Sequence, residues 1–268
     1  MKGKNWREYQ PQRRRKKKHG RRKGGMLTKL IMAVLLFTLG YAGFQIYFHY
    51  SKPYVVALDP GHGGIDSGAV GVIQEVELTE RTSAKLAELL KADGRFRVVL
   101  SRDEGEDKSI TDRNKLFQRV KPTLVLSIHA NSGEDPAALG FECYPSPPGK
   151  ENHEESLAFA QYIASEMEAA GARLRGTYGV RFGYYVLDED GETSKLLVDS
   201  TDTQIYDYDT FGMLKNMTCP AVLVEQCFVT NQEDVEEFGT DEGCAKAAQA
   251  YYQAICKYLE DMEKDAEK

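Results

Sequence analysis

The sequence predicts an α/β fold: a three-layer domain with a largely parallel central sheet flanked by helices, preceded by one transmembrane helix. Three observations predict this organisation. Residues 30–48 carry no charge and follow a strongly basic tail. From residue 54 onward, short apolar segments alternate with longer segments of helical periodicity, which is typical of a parallel sheet covered by helices. One of the short segments, residues 123–128, is apolar enough to be buried on both faces of such a sheet.

Charge divides the chain into two unequal parts. Thirteen of the 35 Lys and Arg residues precede residue 50, but only one of the 41 Asp and Glu residues, Glu8, does so. The remainder therefore carries a net charge of −18. Nucleic-acid binding rests on neutralising phosphates with Lys and Arg, so we expect no nucleic-acid partner. A content of 41% hydrophobic and 28% charged residues excludes a disordered chain.

The N-terminal segment predicts a membrane topology. We assign residues 1–29 to a basic cytoplasmic tail and residues 30–49 to a transmembrane signal anchor. Nineteen helical residues span about 28 Å, close to the ~30 Å of a hydrocarbon core. The unbroken basic run at 13–18 places the tail in the cytoplasm and the folded domain on the extracellular side of the cell membrane, as a single-pass protein.

Two other interpretations of this segment were weighed. A buried core helix of this length would show a polar stripe. A cleaved signal peptide would have an apolar region of about 7–15 residues, followed by a small-x-small cleavage site, which is poorly matched here. An uncleaved anchor is therefore favoured.

Residues 50–268 are predicted to form one domain with nine regular elements. The predicted strands are 54–58, 96–100, 123–128, 140–144 and 221–224. The predicted helices are 78–90, 109–120, 156–170 and 242–262. The segment 188–210 is acidic, rich in Asp and Thr and weakly periodic, so we interpret it as a surface insertion. The five cysteines are odd in number and form no CxxC pair, which indicates neither a disulfide framework nor a cysteine zinc site.

Two of the five histidines directly follow predicted buried strands. His62 lies in DPGHGG and His129 in SIHAN. Loops converge at the carboxyl ends of parallel strands, and a catalytic zinc commonly has three protein ligands there and one open position. The glycines around His62 allow the backbone to approach a ligand closely. Of the other histidines, His19 is assigned to the tail, His49 to the membrane boundary and His153 to a solvated segment.

Glu225 closes the otherwise apolar strand at 221–224. A carboxylate is costly to bury at such a place unless it is paired or functional. The residues alone leave two interpretations open. Glu225 is either a catalytic group or a structural acid paired with Arg102 or Arg113.

Five motifs occur in order between about residues 54 and 260: VVALDPGHGGIDSGAVG, QEVELTERTSAKLAELL, VVLSRDE, LVLSIHANSG with GFECY after it, and CPAVLVEQCFVTNQED. Together they resemble the zinc-dependent N-acetylmuramoyl-L-alanine amidases of the Amidase_3 type. The resemblance implies a peptidoglycan hydrolase that cleaves the amide between N-acetylmuramic acid and L-alanine of the stem peptide. It implies Zn²⁺ held by His62, an acidic residue that opens the first helix and His129, with Glu225 as the catalytic residue.

The family pattern also favours one acidic residue as the middle ligand. In the family this glutamate stands about a dozen residues after the first histidine, as E-x-x-[VL]-x-L. Glu75 fits this pattern, and Glu77 and Glu80 then become solvated helix positions. By the same resemblance Asn231 braces the loop after the last strand. Two further residues are expected to support a ligand or the fold: Asp59 and Arg113.

The sequence departs from the family in two places. The 188–210 insertion replaces a short connection and could form a wall of the substrate groove or a partner site. Gln226-Cys227 replaces a smaller pair after the catalytic glutamate. No long helical insertion follows 140–144, so control by a helix blocking the site looks absent, and any protein activator stays unassigned.

Two alternatives to this function remain. One is another zinc peptidase of the cell wall. The other is a non-catalytic, wall-binding amidase homologue, which the presence of all four site residues disfavours. The motifs are compatible with a role in growth, in cell separation or in sporulation.

Overall fold

The computed structural model describes residues 25–50, 54–187 and 191–267. Most of the predicted basic tail lies outside the described residues, as do the linker after the apolar helix and the first residues of the predicted insertion. The chain divides into two compact units, Met1–His49 and Tyr50–Lys268. Each unit is described by itself.

Helix α1, Gly25–Tyr50, lies in the first unit except for its last residue. Its window Leu27–Phe44 has a mean hydropathy of 1.7 and no buried residues. The helix is therefore long and apolar enough to cross a membrane, a test that a signal sequence also passes. The predicted apolar helix is confirmed. A core helix finds no support in the described part of α1, because every side chain described there is exposed.

The second unit is built on a five-stranded sheet of order β2–β1–β3–β8–β4. Strands β1, β2, β3 and β8 are parallel, and β4 runs antiparallel to β8 at the edge. The largely parallel sheet is thus confirmed. The strands are β1 Tyr54–Pro60, β2 Phe96–Leu100, β3 Leu124–Asn131, β4 Glu142–Pro145 and β8 Ala221–Phe228.

Helices cover both faces of this sheet, which completes the predicted three layers. Three helices pack together over one face: α2 Glu75–Asp93, α4 His153–Ala169 and α6 Asp241–Ala266. Helix α3, Ile110–Val120, covers the other face together with the segment after the small sheet described below. Successive strand side chains point to opposite faces, so each apolar strand contributes to both cores. A three-residue helix α5, Gln232–Asp234, and a π-helical turn lie between β8 and α6.

A second, antiparallel sheet of order β6–β5–β7 was not predicted. Its strands are β5 Arg181–Leu187, β6 Thr193–Asp199 and β7 Asp209–Thr210. The described part of the 188–210 segment therefore contains regular structure, because β6 pairs along the full length of β5. Strand formation here depends on cross-strand partners, such as Leu196 opposite Tyr184, and local sequence does not show them.

Several elements extend beyond the predicted bounds and take in polar residues. β1 continues to Pro60, β3 to Asn131 and β8 to Phe228, while α2 begins at Glu75. Ladder hydrogen bonds from neighbouring strands hold these ends whatever their hydropathy. Three candidate site residues are gained in this way: Glu75, His129 and Glu225.

Candidate active site

The parallel strands bring His62, His129 and Glu225 to the same edge of the sheet. Pro60 of β1 lies in register with Ile128 of β3, and His129 lies in register with Glu225 of β8. Adjacent strands are about 4.8 Å apart, so side chains that leave these ends on the same face are close neighbours.

Glu75 joins the two histidines. Its Oε1 lies 3.0 Å from His62 Nε2 and 2.9 Å from His129 Nδ1. One potential ligand atom from each residue lies within 4.8 Å of the other two. Backbone amides hold the carboxylate in place, since Ala130 N donates to Oε1 at 3.0 Å and Ala69 N donates to Oε2 at 2.9 Å.

Two glycines make this close approach sterically feasible. A Cβ at Gly61 would lie 2.5 Å from Cε1 of His129, and one at Gly68 would lie 2.6 Å from Oε2 of Glu75. Gly68 also has φ of +63°, and His62 itself has φ of 60°, a conformation rare for a non-glycine residue. Strained backbone of this kind clusters at functional sites.

Asp66 orients the first histidine. Nδ1 of His62 donates to Asp66 Oδ2 at 2.9 Å, which leaves Nε2 directed at Glu75. A carboxylate behind an imidazole fixes its tautomer and is common at metal sites. Sequence reasoning missed Asp66. The signal that could have found it is a carboxylate four residues after His62 in the same glycine-rich loop.

Charge in this cluster favours a bound cation. Burial is the largest single influence on His62 and favours the neutral ring. The hydrogen bond and charge of Glu75, followed by those of Asp66, outweigh it and raise the pKa of His62 to about 9. Burial likewise opposes the charged form of Glu75, yet hydrogen bonds from His129 and His62 hold its pKa well below the usual range. The carboxylate therefore draws positive charge to this position.

The donor set fits zinc. Two imidazoles and one carboxylate match the ligands of catalytic zinc sites. Metal–ligand bonds of about 2.0–2.2 Å imply tetrahedral ligand–ligand separations of roughly 3.3–3.6 Å. The observed separations of 2.9 and 3.0 Å between ligand atoms need only a small outward shift to reach that range.

The two neighbouring glutamates of α2 lie elsewhere. Glu77 is exposed and accepts from Arg81 Nη2 at 3.0 Å, as expected for a solvated position. Glu80 is half-buried and ion-paired rather than freely solvated, which corrects that expectation. Its Oε1 lies 2.5 Å from Nη1 of Arg102, a fully buried side chain, and accepts from Gly105 N at 2.9 Å.

Glu225 is buried, with 8% of its surface exposed, and its Oε2 has no hydrogen-bond partner among the described residues. Arg102 pairs with Glu80 and Arg113 pairs with Asp59, so the salt-bridge alternative for Glu225 is contradicted. Burial raises the pKa of Glu225 to about 7, with His129 opposing the shift.

A cavity of about 290 Å³ connects these groups. His62, Glu75, His129 and Glu225 line it. The small sheet contributes two further lining residues, Tyr185 of β5 and its cross-strand neighbour Lys195 of β6. The segment predicted as an insertion therefore lines this cavity.

A family model described as N-acetylmuramoyl-L-alanine amidase matches residues 56–257. The chain belongs to this family. The matched range includes the strand ends that carry His62 and His129 and the final strand β8, and therefore the four candidate site residues.

Individual relatives agree with the family. The chain is 25% identical over 252 residues to a probable N-acetylmuramoyl-L-alanine amidase, AmiB, of Haemophilus influenzae, covering 87% of this chain and 57% of that protein. It is 27% identical to the amidase AmiC of Escherichia coli, covering 78% and 54%. The catalytic domain of the amidase CwlV from Bacillus (Paenibacillus) polymyxa superposes with a TM-score of 0.61 at 26% identity, covering 77% and 98%. The chain thus spans little more than half of the first two relatives.

Beneath the amidase-family cavity lies a buried polar network that the sequence did not reveal. Glu142 of β4 lies opposite Glu225 in register. It accepts from Asn131 Nδ2 at 2.6 Å and from Arg181 Nη1 at 3.0 Å. Its partners come from other strands, so the motif GFECY alone gives no sign of them.

Asp59 supports the fold rather than a ligand. Ser127 Oγ donates to its Oδ2 at 2.7 Å, and Ser101 Oγ and Arg113 Nη1 donate to its Oδ1 at 2.5 and 3.1 Å. Arg113 also donates to the carbonyl oxygens of Pro60, at 2.8 Å, and of His62. The guanidinium thereby holds the backbone that carries the first histidine.

Three further expectations have clear outcomes. Asn231 braces its loop as expected: its Oδ1 accepts from Asp234 N at 3.0 Å, and its Nδ2 donates to Pro136 O at 2.8 Å. Gln226 Nε2 donates to Phe238 O at 2.8 Å, so this departure from the family serves packing near the π-helical turn. His153 is half-buried and its Nδ1 lies 2.8 Å from Ser146 O, which corrects its assignment as solvated.

Proposed function

We propose that this protein hydrolyses the amide between the lactyl group of N-acetylmuramic acid and L-alanine of the peptidoglycan stem peptide. The family match supports this reaction. The observation that carries the proposal is the buried Glu225 carboxylate, with an unpaired oxygen, in the cavity that also holds His62, Glu75 and His129. A general base beside three ligand side chains is the arrangement that amide hydrolysis needs.

His62, Glu75 and His129 would hold Zn²⁺ as the cofactor. When bound, zinc would polarise the scissile carbonyl and lower the pKa of an attacking water. Asp66 keeps His62 in the required tautomer, and the amides of Ala69 and Ala130 fix the carboxylate of Glu75. Because these contacts hold the ligand side chains in place, the protein need not rearrange them during turnover.

Glu225 would move the proton. Its carboxylate accepts a proton from the attacking water, whose oxygen forms the new bond to the lactyl carbonyl carbon. The carboxyl group then donates that proton to the departing alanine nitrogen as the C–N bond breaks. Burial raises the pKa of Glu225 to about 7, and a cation bound nearby would lower it, which favours the carboxylate that accepts the proton.

Product analysis tests the reaction. Purified protein with zinc is incubated with peptidoglycan, and the products are identified by mass spectrometry. Amidase activity gives muramic acid with a free lactyl carboxylate and a peptide with a free alanine amine. A new carboxylate within the stem peptide would instead identify a peptidase. If the muropeptides stayed intact, the protein would be a non-catalytic homologue that only binds the cell wall.

We also propose that α1 anchors the protein in the cell membrane with residues 52–268 on the extracellular side. The fully exposed apolar window Leu27–Phe44 and the basic run at 13–18 support this topology. Protease added to intact protoplasts should remove the folded domain and spare the N-terminal tail. Protection of the whole chain would contradict the orientation, and a mature N-terminus after residue 43 would identify a cleaved signal peptide.

A further inference from the structure

A groove of about 1060 Å³ adjoins the candidate active site. It lies between the small sheet and the turn at residues 147–150. Ile110, Tyr185 and Gly212 line both this groove and the smaller cavity that holds Glu225. The two spaces therefore lie side by side, so a ligand extending from the site in this direction would reach the groove.

Three tyrosines give the groove an ordered aromatic surface. The rings of Tyr206 and Tyr208 stack with centroids 5.7 Å apart and an angle of 11° between their planes. Tyr184 meets Tyr206 edge-on at 5.2 Å. The hydroxyl of Tyr206 donates to Asp202 Oδ2 at 2.9 Å, which fixes this ring. Tyr208 keeps 46% of its surface exposed, so the stack is free to accept a ligand.

A second observation points to a ligand. Tyr184 lines the groove but is only 2% exposed, and its hydroxyl has no hydrogen-bond partner in the described ranges. A buried hydroxyl without a partner costs free energy that a ligand hydroxyl or amide could recover. Both acidic and basic side chains line the groove, among them Asp207, Asp209 and Lys215. That mixture suits a neutral ligand with many hydroxyl groups better than a polyanion.

We propose that this groove is a saccharide subsite, which holds a pyranose ring of the glycan strand next to the muramic acid whose amide lies at Glu225. The C–H face of a sugar ring packs against the negative face of an aromatic ring, while its hydroxyls bind the polar rim. The inference rests on the proposed function, because only a substrate attached to a glycan strand would extend a second sugar from the cavity.

Direct binding tests the subsite without catalysis. The probe is chitotetraose, a β-1,4-linked N-acetylglucosamine oligomer that lacks the scissile amide. Full-length Glu225→Gln protein in detergent should bind it in calorimetric titration, and adding Tyr208→Ala should weaken binding about tenfold. Tyr208→Phe should retain it, since the ring is kept. Tyr178→Ala removes an 81% exposed tyrosine outside the groove and should change nothing.

Kinetics provide the second arm. Relative to wild type, Tyr208→Ala should raise KM about tenfold on glycan strands with attached peptides and leave kcat/KM unchanged on a single muramoyl-peptide without neighbouring sugars. Equal losses on both substrates would overturn the subsite, as would the absence of chitotetraose binding. Tyr208-dependent binding of the free stem peptide instead would reassign the groove to peptide. If the sugar binds through Tyr208 but no amide is cleaved, the proposed function fails while the subsite stands.

Discussion

The candidate active site and the cluster around Asp59 differ in how their buried carboxylates are paired. Both oxygens of Asp59 accept hydrogen bonds, from Ser101, Ser127 and Arg113. In the site, Oε2 of Glu225 is buried without a partner. A satisfied buried carboxylate stabilises the fold around it, whereas an unsatisfied one carries a desolvation cost that folding alone does not repay.

This contrast separates structural from chemical residues better than burial does. Asp59 is 1% exposed and Glu225 is 8% exposed, so exposure alone would not tell them apart. What differs is whether neighbouring side chains supply donors. Substitutions in the two regions should therefore affect different measurements, and each prediction below tests that separation.

The largest effect should follow loss of a ligand. His62→Ala, Glu75→Ala and His129→Ala should each lower zinc from about one per chain and abolish hydrolysis, because a catalytic site keeps only three protein ligands. Zinc content of the purified proteins is the measurement. Glu77→Ala on the same helix is the matched control and should keep its zinc. Loss of zinc in Glu77→Ala alone would show that the middle ligand is wrongly assigned.

Glu225→Gln should reduce turnover by about 10²–10⁴, the usual contribution of a positioned general base. That corresponds to roughly 3–5 kcal/mol of transition-state stabilisation. Gln keeps the shape of the side chain but cannot accept the proton, and it removes a buried charge, so zinc content and melting temperature should not fall. A zinc-loaded variant with near-normal turnover would end the catalytic assignment.

Asp59→Ala should show the reverse pattern. It leaves the buried guanidinium of Arg113 without its ion pair, which costs about 3–5 kcal/mol of unfolding free energy. The melting temperature should fall by roughly 10 °C for a domain of this size. Below that transition the folded protein should still carry zinc. Asp241→Asn, at a 70% exposed partner of Lys85, is the control and should melt near wild type. A melting temperature equal to wild type in Asp59→Ala would remove the contrast between the regions.

The smallest effect is expected at Asn231→Ala. Its side chain caps α5 and also holds Pro136, so its loss should cost about 1 kcal/mol, a typical value for a helix cap. Chemical denaturation measures this loss, and Asn231→Asp, which keeps the capping oxygen, should recover part of it. Turnover should change far less than in Glu225→Gln. A large loss of turnover at unchanged stability would place Asn231 in the chemistry.

Much of this protein could be predicted from its sequence because the signals are local. Alternating apolar segments indicated the parallel sheet, and a charge-free segment after a basic run indicated α1. His62 and His129 were recognised because each follows a buried strand, and the loops after parallel strands lie close together. The family resemblance added Glu75 over Glu77, and the structure brings Glu75 to both histidines. Its role as a ligand stays a proposal.

Tertiary structure decided what depends on partners distant in the chain. The β5–β6–β7 sheet forms because its strands satisfy one another's backbone groups. β5 is rich in aromatic and β-branched residues, but the strands that pair with it follow later in the chain. Asp66 behind His62, Glu80 with Arg102, and Glu142 with Arg181 are recognised only in three dimensions. Above all, the residues alone did not decide whether Glu225 forms a structural salt bridge or acts in catalysis. Folding turned both candidate arginines toward other carboxylates, so only the structure shows that its buried oxygen has no partner.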